Sequence, residues 1–140
     1  MQDVYKAMLH ERISPAVRQL GLTGSGGRYV LASSTHWAMI GFQKSSYSHA
    51  AAVKFTVNAL CVSRRDWDRM TARSPHFGTR PKPLVHYSAP ARSERIGTLA
   101  GGDDKWWTLA SISDVPEVAA EVIGDLTTFA VPWLHEHITR

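Results

Sequence analysis

The chain has 140 residues, is 44% hydrophobic and 20% charged, and carries a formal charge of +4. This is the composition of an ordinary globular protein, and the length suits one domain, expected over residues 1–140 and large enough to need no metal or disulfide staple. No apolar run approaches the ~20 residues that cross a bilayer, and the single cysteine, Cys61, has no partner for an internal disulfide.

The N-terminus is amphipathic and carries acids early, unlike a signal peptide. With the lone cysteine, this points to the cytoplasm. The basic residues are spread along the chain rather than gathered in a tail. They are densest over residues 64–95, which reads as a solvated surface with mild attraction for anions.

Val4, Met8, Leu9, Ile13, Val17 and Leu20 recur at helical spacing. They predict a helix over residues 3–13, a break at Ser14-Pro15 with Ser14 capping the next turn, and a stop at Gly21. Thr23-Gly24-Ser25-Gly26-Gly27 reads as a loop. Its glycines raise the possibility of a phosphate cradle, but no lysine follows in the P-loop position and the next segment reads as strand, not helix.

Strands are expected over residues 28–33, 36–44 and 53–62. In the last of these Val53, Phe55, Val57, Ala59 and Cys61 alternate onto one apolar face. Thr56 and Asn58 fall on the other, where Gln43 of the preceding strand joins them in an antiparallel meander.

Residues 64–73 predict a short helix with Trp67 and Met70 on its apolar edge. Residues 74–90 hold four prolines and form an irregular excursion, with a brief extended piece at 84–87. Residues 93–100 and 105–110 predict a hairpin closed by Gly101-Gly102, across which Arg95 and Asp104 can pair. Asp114 and Glu117 have capping-box spacing and open a C-terminal helix, with Pro132 expected to break or kink it near Thr128.

These residues also form a recognisable order. A helix ends in Leu20-Gly21-Leu22; a strand closes as Phe42-Gln43-Lys44-Ser45. Then come Phe55-Thr56-Val57-Asn58, Arg95-Ile96-Gly97 and Asp104-Lys105-Trp106-Trp107. The pattern resembles the mostly bacterial family catalogued as domain of unknown function 4304, over roughly residues 4–129. Residues 74–90 are a departure from this pattern. The resemblance implies a small single-domain α+β protein and carries over no activity. It draws attention to Gln43, Lys44, Ser45, Asn58, Arg95, Asp104, Trp106 and Trp107.

Polar groups inside strands cost free energy unless solvated, paired or used. Gln43, Lys44, Ser45, Thr56 and Asn58 are therefore candidates for ligand contact, and Arg95 adds a fork for carboxylate or phosphate. The competing reading is a polar network that fixes strand register. Trp106 and Trp107 must face opposite sides of a strand, so one of them can serve a surface. The seven histidines lack zinc spacing, and no metal or cofactor is expected. Ser45 and Ser48 beside His49 lack a nucleophile elbow. Cys61 alternates onto the apolar face as a small core residue.

The expected fold is α+β: an antiparallel sheet of about five strands, with the N-terminal and C-terminal helices on one face and a cleft between the other face and residues 74–90. The expected function is binding or interaction, with a protein or small anionic ligand held on the polar face. The alternative is a small enzyme acting on a polar metabolite in a pocket of Lys44, Asn58, Arg95 and Asp104. Nucleic acid is disfavoured because no binding motif is present and the tryptophans are not interleaved with a basic run. Convergence of those four residues in one concavity would favour a small ligand; scatter beside a flat apolar patch would favour a protein partner.

Overall fold

In the computed structural model, which describes residues 1–139, two long alternating strands set the centre of the fold. β3 (His36–Lys44) and β4 (Val53–Ser63) pair antiparallel from His36 opposite Ser63 to Lys44 opposite Phe55. β1 (Leu22–Ser25) and β2 (Arg28–Leu31) extend the sheet beyond β3. On the far edge of β4, β5 (Arg92–Arg95) pairs with one half and β6 (Trp107–Leu109) with the other. The result is a six-stranded antiparallel sheet, β1-β2-β3-β4-β5, with β6 also on β4.

The apolar face of the sheet carries the main core. Ala38, Ile40, Phe42, Val53, Phe55, Val57, Ala59 and Cys61 are buried against both terminal helical segments. The first consists of α1 (Gln2–Met8), a π-helical turn at Leu9–Ile13 and α2 (Ser14–Gln19). The second consists of α5 (Val115–Asp125), a π turn at Leu126–Ala130 and α6 (Val131–Ile138). Neither helix breaks at its proline, contrary to expectation. Pro15 and Pro132 each follow a π turn, and the widened backbone there absorbs the missing N–H and the ring's clash with the carbonyl one turn back. Ser14 is not a cap; it is buried, and its hydroxyl meets that of Tyr29 at 2.8 Å.

The opposite face is covered in part by a second, smaller core. Met39, Leu60 and Val62 lie under α3 (Arg64–Arg73) and residues 74–90. Ser63 caps α3 by accepting from the Asp66 amide at 3.0 Å. Trp67 is fully buried, with Tyr87 edge-on at 4.9 Å and Phe77 stacked at 5.8 Å. No strand forms at 84–87; the tyrosine hydroxyl instead accepts from the Lys82 amide at 3.0 Å, fixing the excursion on itself.

Three local expectations are corrected. The glycine-rich run is a hairpin, not a loop: Gly26 and Gly27 take φ of 64° and 84°, the two-residue turn that the twist of paired strands favours. Residues 93–100 do not continue as strand, since β5 ends at Arg95 and α4 (Ile96–Leu99) follows. The capping box lies one turn earlier than expected, where Asp114 Oδ2 accepts from the Ala110 and Ser111 amides at 2.9 Å each.

Candidate functional site

Register brings the polar residues together. On the outer face Gly41 lies opposite Asn58 and Gln43 opposite Thr56, so Gln43 and Asn58 are diagonal neighbours. The Asn58 side-chain amide donates to Gln43 Oε1 at 2.9 Å. Arg95 lies directly opposite Asn58 on the other side of β4. Its guanidinium donates to Asp104 Oδ2 at 2.8 Å, and the Trp106 indole donates to the same oxygen at 2.9 Å. The guanidinium also sits 5.2 Å from the Trp106 ring centroid, closing a three-residue cluster by charge, hydrogen bond and cation–π contact.

Arg95 and Asp104 meet as foreseen, but not across a hairpin. β5 and β6 pair with β4 rather than with each other, and α4 with the following turn joins them. Gly97 makes that turn possible. A Cβ at this position would run into the Asp103 carbonyl and lie 2.6 Å from the Lys105 nitrogen. Thr56, fully buried, fastens the same segment by donating to the Lys105 carbonyl at 2.6 Å.

Of these residues Gln43, Asn58, Arg95 and Asp104 line a concavity of about 530 Å³, whereas Trp106 and Thr56 support it from outside the lining. Gln43 and Asn58 line it from the sheet, Arg95 and Ser93 from β5, and Asp104 from the turn after α4. Leu84 and His86 contribute a wall from the 74–90 excursion. The approach of that wall depends on Gly41, where a Cβ would stand 2.7 Å from the Leu84 side chain and 3.0 Å from Pro83. Ser93 Oγ is buried and has no hydrogen-bond partner among the described residues.

Other expected site residues are used elsewhere. Lys44 does not line this concavity; its ammonium donates to Gln2 Oε1 at 3.0 Å and lies 5.9 Å from the Tyr5 ring centroid. Alternation accounts for this, because Lys44 shares the face of Phe42. Ser45 Oγ accepts from the Tyr47 amide at 3.1 Å and so shapes the β3–β4 connection. Trp107 is core: it is buried and stacked on Phe55 at 5.7 Å. Thr56, with its hydroxyl engaged by Lys105, is a fastening rather than a ligand contact.

Sequence reasoning missed Ser93, His86, Glu94 and Thr98 as lining residues. Ser93 was findable, since it alternates with Arg95 onto the same face. His86 lies in irregular chain and carries no periodic signal. Burial raises the Cys61 thiol to about 11, consistent with an inert core residue. Among the described residues, no group of three or more His, Cys, Asp or Glu is placed to hold a metal, and no helix is long and apolar enough to cross a membrane.

A protein-family model described as Domain of unknown function (DUF4304) matches residues 13–136. No curated protein and no solved structure matches the chain.

Proposed function

The chain belongs to the family described as Domain of unknown function (DUF4304), and we propose that it binds a small polar ligand carrying an anionic group in the concavity over the Gln43–Asn58 pair. One observation carries this reading: Gln43, Asn58, Arg95 and Asp104, distant in sequence, line a single concavity. Asp104 engages one of the five N–H donors of Arg95, and the others make no hydrogen bond among the described residues. The fork is thus held in place yet able to meet a carboxylate or phosphate. Asn58 likewise spends one N–H on Gln43, leaving its carbonyl and second N–H for a ligand.

Two alternatives have less support. A flat protein-docking face would gather exposed apolar groups, but the most exposed, Tyr47 and Ile112, lie on separate connections. The enzymatic reading counted Lys44 as a charged participant, and Lys44 is turned to Gln2 and Tyr5. The single unpaired, buried cysteine supports a reducing, cytoplasmic setting.

The test is a thermal-shift screen of polar metabolites on the wild type beside Arg95→Ala and Asn58→Ala. The Arg95–Asp104 pair is half exposed, so its loss costs less than about 1 kcal/mol of stability. A ligand at ~100 times its dissociation constant stabilises by about 2.7 kcal/mol, well above that loss. Hits on the wild type that vanish in both folded variants are the expected result. Hits that persist unchanged in both would remove the ligand from this concavity.

A further inference from the structure

A second cleft adjoins the first, and Gln43 and Leu84 line both. It has a volume of about 650 Å³ and lies where α1, the β1–β2 turn and the end of β3 meet. Its charge is one-sided. Lys6 comes from α1, Arg28 from the start of β2 and Lys44 from the end of β3, with His10 one helical turn beyond Lys6. No aspartate or glutamate lines it. Among the described residues none of these three cations has an ion pair; the salt bridges are Arg95–Asp104 and Lys105–Asp125. The contacts of Lys44 are with neutral groups, the Gln2 amide and the Tyr5 ring.

Three elements that converge with like charge on one hollow repel one another, and an anion in the hollow reverses the sign of that interaction. The hollow also offers neutral donors. Ser25 and Tyr5 line it, and the Tyr5 phenol, neutral at pH 7 as any tyrosine is, is pushed further up by burial and by Tyr29. Gly26 brings the hairpin turn to the wall without a side chain.

We propose that this cleft is an oxyanion site for a small soluble phosphate compound, held by Lys6, Arg28 and Lys44. Three cations without a counter-charge along the lining suit a multiply charged phosphate better than a single carboxylate. The site shares Gln43 and Leu84 with the polar concavity but none of its three cations, and it stands whether or not that one takes a ligand. The glycine-rich segment contributes as a hairpin turn that presents Ser25 and Arg28, not as a P-loop leading into a helix.

The experiment is isothermal titration with inorganic phosphate, with pyrophosphate and with phosphatidate-containing vesicles at low, matched ionic strength. It uses the wild type, a Lys6→Glu variant, an Arg28→Ala/Lys44→Ala double variant and an Arg65→Ala/Arg69→Ala control on α3. All the substituted residues are exposed, and circular dichroism checks each fold. Pyrophosphate is expected to bind the wild type more tightly than phosphate. The cleft variants should lose at least about tenfold in affinity, while the equally discharged control stays within about twofold. No heat for the wild type would overturn the proposal. So would an equal loss in the control, which would mean net charge alone. Binding only to phosphatidate-containing vesicles would assign the phosphate to a lipid and overturn the soluble ligand.

Discussion

Thr56 illustrates how one buried hydroxyl ties core to site. Its bond to the Lys105 carbonyl anchors the chain that carries Asp104 on one side and Trp106 on the other. Thr56→Val keeps the shape and removes the donor, leaving the carbonyl short of a partner. This should cost about 1–3 kcal/mol in urea denaturation and weaken ligand binding, although Thr56 touches no ligand. Cys61 gives a pH test. Its thiol is raised by burial from 9.0 to about 11, so above pH 9.0 the unfolded chain releases a proton that the folded chain retains. The contribution of Cys61 to stability is therefore full below pH 9.0 and is lost as pH rises toward about 11. The difference between wild type and Cys61→Ala, measured by denaturant midpoint, should shrink across that window and stay level below it. Alternation correctly put Gln43 with Asn58, and Cys61 with the core. It could not tell that Thr56 would meet a carbonyl 49 residues away, because that partner comes from tertiary packing.

At the scale of elements, close approach decides where the site stands. Gly97 lets the turn after α4 fold back so that Asp104 reaches Arg95. Gly97→Ala should cost about 1–3 kcal/mol by forcing the 103–105 backbone aside. It should also abolish binding in the concavity even where the fold survives, as read by thermal shift with and without ligand. The long strands and α3 were legible because their periodicity is sustained and Ser63 caps as its residue type suggests. The prolines misled. A rule that proline ends helices holds for a regular i→i−4 ladder, and both terminal helices open that ladder into a π turn first. Short elements escaped for the opposite reason. β1 carries Gly24, one of the glycines that mark a loop, and Ile96–Leu99 is too brief for its period to show.

For the whole molecule, one sheet serves two purposes. Its inner face is packed by both terminal helical segments, and its outer face is divided between a small aromatic core and the polar concavity. The excursion over residues 74–90 spans the boundary: Tyr87 and Phe77 bury Trp67, while Leu84 and His86 face the concavity. The sequence announced an irregular, proline-rich segment but not which face it covers, since its contacts rest on Gly41 and Trp67, outside the segment. The α+β architecture was readable from alternation and helical periods. The division of the outer face was not, because a half-apolar strand face looks the same whether it is capped or open.

The most direct test is an amide and side-chain NMR map of labelled protein titrated with the strongest small-molecule hits. A ligand in the concavity should move the Asn58 side-chain amide, the Arg95 guanidinium and the Trp106 indole together, and saturably. Hits that leave those three signals in place while shifting residues elsewhere, such as Tyr47 or Ile112, would contradict that placement.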